Sequence, residues 1–184
     1  IIAPSVWMIG GDGWAYDIGY GGIDHILSSQ ANVNILVLDS QVYSNTGGQA
    51  SKASPKGSIA AFASHGKDVP KKDLARIAMC SPNVYVAQVS MGANPMQVIR
   101  AMKEAEEHQG PSMILAYSPC ISHGIRGGME NSMDSSKMAT ACGYYPIFRY
   151  QPETKKFTLD SKQVNFDLYQ NYLETQNRYR MLKV

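Results

Sequence analysis

Gly10-Gly11-Asp12-Gly13 and, one β-α-β unit later, Asp39-Ser40-Gln41-Val42-Tyr43-Ser44-Asn45-Thr46-Gly47-Gly48-Gln49 are the two stretches that decide the fold and its chemistry. A glycine turn after an apolar strand lets the backbone approach a phosphate group. A carboxylate inside that turn, Asp12, would repel the phosphate unless a divalent cation lay between them. The second stretch offers a hydroxyl, a carbonyl and an amide, which include the hard oxygen ligands that Mg²⁺ or Ca²⁺ prefers. Together the two stretches predict a diphosphate held through one metal ion.

Both stretches follow short apolar runs that are typical of buried parallel strands. The runs cover residues 6–9 and Asn34–Asp39, and we expect both to be central strands of a sheet. The segment between them has a partly helical apolar period interrupted by glycines, which predicts a glycine-rich crossover helix. Because ligands bind beyond the carboxyl ends of the strands in such sheets, Asp12 and Ser40 fall at two ends where a ligand is expected.

Strands and helices continue to alternate further along the chain. The pattern predicts a helix over 71–79, a strand over 84–89, a helix capped by Asn94 and opened by Pro95, and a strand over Ser112–Tyr117. This order predicts an α/β fold built on a doubly wound, mostly parallel sheet with right-handed crossovers.

Two segments are less regular. Residues 44–66 are small and polar, and because so long a loop is usually functional, we place it over the ligand. A strand is possible at 147–150, after which we divide the chain into an α/β domain, 1–150, and a C-terminal helical extension, 151–184. The helix-like tail over 164–182 has an aromatic side that fits docking on another subunit or domain, and packing on its own sheet fits equally well.

Composition narrows the class of protein. The 184 residues suffice for one domain, and a formal net charge of +2 gives no basic excess for nucleic-acid binding. No apolar run approaches the roughly 18 residues that cross a bilayer, and the beginning of the chain is unlike a secretory signal, so we expect a cytoplasmic protein without a membrane partner. Because the chain starts at Ile1 without a methionine, we interpret it as a fragment of a longer polypeptide.

The cysteines and histidines do not form a site by themselves. Cys80, Cys120 and Cys142 are odd in number and widely spaced, which argues against a disulfide framework or a self-contained zinc site. Reduced thiols are the simplest interpretation. The four histidines show no ligand spacing, and we assign no acid–base role to them.

Two common nucleotide-binding interpretations fit the glycine turn poorly. A dinucleotide fingerprint has a third glycine that opens the helix and an acidic residue about twenty positions later, with no acid inside the phosphate turn. A nucleoside triphosphatase would carry a G-x-x-x-x-G-K-[ST] loop, which this sequence lacks. The metal-bridged diphosphate therefore remains the better interpretation.

The stretch Gly-Asp-Gly-Trp-Ala-Tyr-Asp-Ile-Gly-Tyr-Gly-Gly-Ile-Asp-His at 11–25, followed by Tyr-Ser-Asn-Thr-Gly-Gly-Gln at 43–49, resembles the thiamine-diphosphate domain of the pyruvate:ferredoxin (flavodoxin) oxidoreductase family. Gly-Asp-Gly alone indicates only a thiamine-diphosphate enzyme, whereas the long loop and the Cys120 segment narrow the resemblance. The likeness covers nearly the whole chain and continues through four further segments: 71–76, 89–92, 117–124 and 144–150.

The resemblance implies how the cofactor is held. Asp12 binds Mg²⁺ through its carboxylate, Ser40 through its hydroxyl and Val42 through its backbone carbonyl. The family usually has threonine at the position of Ser40, and serine keeps the ligating oxygen but loses a methyl group that stiffens the rotamer. Asn45 reaches the diphosphate or the reacting centre and is the catalytic candidate. The other cofactor-binding residues that the resemblance implies are Gly11, Gly13, Trp14, Gln41, Tyr43 and Ser44.

The resemblance also implies a redox reaction. Cys120 matches the last ligand of a [4Fe–4S] cluster, whose other three thiolates would lie before Ile1. The implied enzyme decarboxylates pyruvate oxidatively with coenzyme A to acetyl-CoA and CO₂, and passes electrons through iron–sulfur clusters to ferredoxin or flavodoxin. We expect a homodimer of the complete enzyme. A glutamate of another domain activates the thiazolium in this family, so the isolated fragment is expected to bind cofactor weakly and not to turn over.

Two other functions remain open at this point. A non-redox thiamine-diphosphate decarboxylase or synthase would share Asp12 and the second loop but would have no use for Cys120. A non-catalytic module of the same fold would have lost its ligand altogether.

Overall fold

A computed structural model describes residues 4–161 and 163–180 and contains a six-stranded sheet in the order β1-β2-β4-β3-β5-β6. The first four strands pair in parallel, and β5 and β6 add an antiparallel edge. The predicted α/β class with a mostly parallel sheet is therefore confirmed. The strands are β1 (Trp7–Gly11), β2 (Asn34–Asp39), β3 (Tyr85–Val89), β4 (Ser112–Tyr117), β5 (Phe148–Gln151) and β6 (Lys156–Leu159).

Two of the helices begin at side-chain caps that the sequence provides. Asn94 accepts a hydrogen bond from the backbone N–H of Gln97 at 3.0 Å, and Pro95 occupies the first helical position, as predicted. Asp73 caps the shorter helix before it in the same way. The α-helices are α1 (Tyr20–Leu27), α2 (Leu74–Met79), α3 (Pro95–Glu107), α4 (Ser132–Ala141) and α5 (Tyr169–Glu174).

Helices cover both faces of the sheet, which confirms the doubly wound arrangement. On one face, Ile23 of α1 and Leu74 of α2 pack against buried side chains of the parallel strands such as Val37. On the other face, Ala101 of α3 packs in a cluster with Ile114 of β4. The core thus lies in two layers on either side of β2, β4 and β3.

The predicted central position of the strand over 6–9 is wrong. The strand runs over Trp7–Gly11 and lies at one edge of the sheet, where it pairs only with β2 among the described residues. Ile9 is 63% exposed. An apolar run indicates a strand, but it does not determine whether both neighbouring positions in the sheet are filled.

The region predicted as a helical extension, 151–184, contains a strand as well. β6 pairs with β5 through a turn in which Lys155 has a φ of +52°, so helical structure begins only at Phe166. The tail predicted as one helix over 164–182 is a 3₁₀ turn, α5 and a second 3₁₀ turn, Asn177–Tyr179. Lys162 and residues 181–184 lie outside the described residues, and the division at residue 150 stays a prediction.

The aromatic side of the tail packs on this chain. Tyr172 is fully buried in a cluster with Tyr117 of β4 and with Tyr145, and the hydroxyls of Tyr117 and Tyr172 are hydrogen-bonded. Of the two alternatives that the sequence left open, packing on its own sheet therefore holds for Tyr172.

Candidate cofactor and metal site

The ends of β1 and β2 bring the three predicted metal ligands together. The two strands are adjacent and parallel, with Gly11 in register with Leu38, so the turns that follow them meet at one edge. Oδ1 of Asp12 lies 2.7 Å from Oγ of Ser40 and 3.0 Å from the Ser40 backbone N–H nitrogen. Oγ of Ser40 also lies 3.0 Å from the carbonyl oxygen of Val42. A carboxylate oxygen and a carbonyl oxygen thus lie within hydrogen-bond distance of the same hydroxyl.

Asp12 is buried without a cationic partner. It is 1% exposed, and no described lysine, arginine or histidine lies within ion-pair distance of it. Burial first, and then the negative charge of Asp39, raise the pKa of the Asp12 carboxyl. A buried carboxylate whose contacts are neutral hydroxyl and N–H groups is stabilised when a cation binds beside it.

The donor set fits Mg²⁺ bound together with phosphate. Mg²⁺ is typically held by one or two carboxylates, neutral oxygens and the phosphates of a ligand. The described residues contain no group of three or more acidic, histidine or cysteine side chains that would bind a metal alone. One carboxylate with two neutral oxygens is therefore suited to a metal whose coordination a diphosphate completes.

The two glycines that flank Asp12 differ in their surroundings. A Cβ on Gly13 would overlap the ring of Tyr43, whose hydroxyl lies 3.2 Å from the Gly13 carbonyl oxygen and 3.2 Å from Oδ2 of Asp17. A Cβ on Gly11 would meet nothing within 4 Å. Gly13 is thus required by packing, whereas Gly11, next to Asp12, borders open space.

The remaining predicted residues lie around this point in different environments. Trp14 is partly buried against the core, and a Cβ on Gly10 or Gly19 would overlap its ring. Ser44 and Asn45 are exposed in the turn that follows Tyr43. The catalytic and cofactor contacts predicted for these residues stay predictions.

Gln41 faces the interior of the protein. It is 3% exposed and adopts a φ of +66°. Its side-chain oxygen accepts hydrogen bonds from the hydroxyl of Tyr144 at 2.6 Å and from the guanidinium of Arg178 at 3.2 Å. Because its side chain is engaged inside the protein, Gln41 would contact a cofactor through its backbone. This contact also stays a prediction.

Sequence analysis missed Ser51. Its hydroxyl lies 3.3 Å from Oδ2 of Asp12, so the long polar loop covers the acid from the second side. The only signal was the placement of the loop 44–66 over the ligand, which did not single out a residue. Ser51 therefore gives the Asp12 carboxylate a further neutral donor, on the oxygen that does not contact Ser40.

Sequence analysis also missed the pairing of Asp39 with Lys71. Asp39 is fully buried, the Lys71 ammonium forms an ion pair with its Oδ2, and the Tyr16 hydroxyl donates to the same oxygen at 3.2 Å. Burial and the charge of Asp39 raise the pKa of Tyr16 well above its usual value. Lys71 opens one of the segments that carried the family resemblance, but no pattern linked it to Asp39.

Cys120 lies beyond the end of β4, the strand next to β2. Its Sγ is 3.5 Å from Nδ1 of His123, and His123 packs directly against Gly48 of the second loop. The cysteine loop and the predicted metal loop therefore touch. Cys80, Cys120 and Cys142 are free thiols, of which Cys80 is exposed and the other two are buried.

The fold and these loops define an α/β cofactor-binding domain with its polar residues at the carboxyl ends of parallel strands. Residues 2–116 match the family of thiamine pyrophosphate enzymes, C-terminal TPP binding domain. The chain belongs to this family. This match confirms the thiamine-diphosphate domain that the motifs predicted.

Relatives extend over nearly the whole chain. Pyruvate:ferredoxin oxidoreductase of Moorella thermoacetica is 52% identical over 97% of this chain and 16% of its own length. Pyruvate-flavodoxin oxidoreductase of Trichormus variabilis is 52% identical over 99% of the chain and 16% of its length. The mitochondrial pyruvate dehydrogenase [NADP(+)] of Euglena gracilis is also 52% identical, over 97% of this chain and 10% of its own length. The chain thus spans 10–16% of the length of these relatives.

A solved structure shares the fold. The 2-oxoglutarate:ferredoxin oxidoreductase of Magnetococcus marinus, with 2-oxoglutarate, coenzyme A and succinyl-CoA bound, superposes with a TM-score of 0.57 and 27% identity. The match covers 61% of this chain and 39% of that one. In the described part of the chain, every helix is too short or too polar to span a membrane.

Proposed function

We propose that this chain is the thiamine-diphosphate- and Mg²⁺-binding part of a pyruvate:ferredoxin or pyruvate:flavodoxin oxidoreductase. The complete enzyme decarboxylates pyruvate oxidatively with coenzyme A and passes the electrons through iron–sulfur clusters to its acceptor protein. Family membership and the names of relatives that are about half identical support the proposal. The observation that carries it is the convergence of Asp12, Ser40 and Val42 at the ends of β1 and β2.

In this proposal the chain binds and orients the cofactor. Asp12, Ser40 and Val42 hold Mg²⁺, and the open space at Gly11 admits the diphosphate. Asn45, in the exposed turn, reaches toward the diphosphate or the reacting centre. Thiamine diphosphate, when bound, supplies the nucleophilic carbon and the electron sink for decarboxylation. The protein fixes the position of the cofactor and offsets its charge.

The redox role depends on Cys120 and on segments outside this chain. The Cys120 thiolate supplies one of the four ligands of a [4Fe–4S] cluster, and the other three come from the rest of the parent enzyme. Contact between the Cys120 loop and the metal loop through His123 and Gly48 supports this role, because a cluster held by Cys120 would lie on a loop next to the one that would hold the cofactor. The complete enzyme acts as a cytoplasmic homodimer, and this chain alone binds cofactor weakly and does not turn over.

Substitution of Asp12 tests the metal site in the intact protein. Because loss of an outer partner already lowers metal affinity by about 10–100-fold, we expect Asp12→Asn to weaken Mg²⁺-dependent binding of thiamine diphosphate by at least about 100-fold. Isothermal titration calorimetry measures the binding, and pyruvate- and coenzyme A-dependent reduction of a viologen dye measures activity.

Asp68→Asn is the matched control, since it makes the same chemical change at an exposed loop residue. It should retain wild-type binding and activity. Equal Mg²⁺-dependent binding by wild type and Asp12→Asn would refute the metal site, and dye reduction without pyruvate dependence would refute the substrate.

A further inference from the structure

Arg178 is a buried cation without an acidic partner. It lies on the 3₁₀ turn Asn177–Tyr179, is 4% exposed, and has no carboxylate of the described residues within ion-pair distance. Burial of an unpaired guanidinium is unfavourable, so the contacts that Arg178 does make require a reason.

The guanidinium of Arg178 binds the turn between two proposed metal ligands. One terminal nitrogen donates to the backbone carbonyl of Ser40 at 3.1 Å. The other lies 3.2 Å from the side-chain oxygen of Gln41 and 3.5 Å from its backbone carbonyl oxygen. Arg178 therefore contacts the metal-binding turn at both peptide groups that link Ser40 to Val42.

This turn needs support because Gln41 has a left-handed backbone. Its φ of +66° is unfavourable for a residue with a side chain and persists only where the surroundings hold it. Besides Arg178, the Tyr144 hydroxyl donates to the Gln41 side chain at 2.6 Å and the Ser54 hydroxyl donates to its carbonyl at 2.8 Å. The conformation of Gln41 sets the directions in which Ser40 and Val42 present their oxygens.

The turn that carries Arg178 is itself attached at several points. The Arg178 carbonyl accepts from the backbone N–H of Ile59 at 2.8 Å, and the N–H of Asn177 donates to the Gly124 carbonyl at 2.6 Å. The position of the Arg178 guanidinium is thus fixed by the segments around Ile59 and Gly124, and not by the turn that it contacts. The planar guanidinium, with its fixed fork of donors, is suited to hold two carbonyl groups at once.

We propose that Arg178 is a positioning residue of the Mg²⁺ site, which acts by holding the turn Ser40-Gln41-Val42 so that Ser40 Oγ and the Val42 carbonyl face Asp12. The inference rests on the proposed function, because it assumes that these oxygens bind the metal. The C-terminal segment, which lies more than 130 residues from the ligands in sequence, thereby controls the affinity of the site.

The test uses the intact protein with Arg178→Met and Arg178→Lys. The readout is the Mg²⁺ concentration that half-saturates thiamine-diphosphate binding, together with the melting temperature measured without metal and cofactor. Because outer partners of metal ligands contribute about 10–100-fold to affinity, we expect Arg178→Met to raise the half-saturating Mg²⁺ concentration by at least about tenfold. Arg178→Lys keeps the charge but loses the planar pair of terminal nitrogens. Its half-saturating Mg²⁺ concentration should therefore lie between those of Arg178→Met and wild type.

Arg180→Met is the matched control, since Arg180 is exposed two positions away and should keep wild-type Mg²⁺ dependence. If Arg178→Met does not fold, Gln41→Gly provides the test. Glycine adopts a φ of +66° without strain and removes only the side-chain contacts with Arg178 and Tyr144. We expect Gln41→Gly to raise the half-saturating concentration by about threefold, less than the usual range of about 10–100-fold, because Arg178 keeps its contact with the Ser40 carbonyl.

Two results would overturn the inference. One is an unchanged Mg²⁺ dependence with an unchanged melting temperature in the Arg178 variants, which would indicate that Arg178 has no role at the site. The other is a lowered melting temperature with unchanged Mg²⁺ dependence, which would indicate a structural role alone. If Asp12→Asn weakens binding while the Arg178 variants behave as wild type, only this inference fails. If wild type itself shows no Mg²⁺-dependent binding, the proposed function and the inference fail together.

Discussion

The ends of β1 and β2 each carry a buried aspartate, and the two aspartates differ in their hydrogen-bond and ion-pair partners. Asp39, at the end of β2, has an ammonium partner in Lys71 and a phenol partner in Tyr16. Among the described residues, Asp12, just beyond β1, has only neutral donors. A buried carboxylate with its cation in place is compensated, so loss of that cation should destabilise the fold, whereas a buried carboxylate without one is suited to bind a cation. We therefore expect a structural role for Asp39 and a binding role for Asp12 at neighbouring points of one sheet edge.

The largest expected effect concerns a third strand end, where we propose Cys120 as a ligand of an iron–sulfur cluster. In the intact protein, Cys120→Ser should abolish one iron–sulfur cluster, a loss of about four iron atoms per chain, because the cluster needs four thiolates. Metal and acid-labile sulfide analysis measures the loss. Cys80→Ser, at an exposed thiol, is the control and should retain all iron. Full iron content in Cys120→Ser would contradict the ligand role of Cys120, whereas an active wild-type protein without iron would favour the non-redox thiamine-diphosphate enzyme.

The next effect tests the compensated aspartate. Lys71→Met leaves Asp39 buried and unpaired, and we expect it to reduce the free energy of unfolding of the domain by about 3 kcal/mol. The double variant Lys71→Met/Asp39→Asn should recover part of this loss, because it removes the unpaired charge. Calorimetric melting of the four proteins in the cycle measures both effects. Equal stability of Lys71→Met and wild type would contradict the distinction between the two aspartates.

The smallest effect concerns the glycines on either side of Asp12. Gly13→Ala forces a methyl group against the Tyr43 ring, and such overpacking should lower stability by about 1–3 kcal/mol. Gly11→Ala adds its methyl group in open space, so stability should stay near wild type while affinity for thiamine diphosphate falls. Melting curves and calorimetric titration of both variants separate the two effects. Similar melting temperatures for both variants would show that Tyr43 yields to the added methyl group.

The sequence predicted the parts of the site that depend on strand ends. Asp12 and Ser40 were expected together because parallel neighbouring strands finish at the same edge, and their contact follows from that rule. The edge position of β1 was not predictable, because an apolar run indicates that a strand tends to be buried but does not indicate how many neighbouring strands it has. The pairs Ser51–Asp12, Lys71–Asp39 and Arg178–Gln41 depend on how irregular segments return to the sheet, which no local period encodes.

The edge position of β1 has a consequence for handling this domain. Its outer row of backbone N–H and C=O groups is unpaired within the described residues, and Ile9 projects beside it with 63% of its surface exposed. Such an edge is a template on which another chain can add a strand. Expressed by itself, the domain is therefore expected to self-associate as concentration rises, and a charged residue at position 9 should keep it monodisperse.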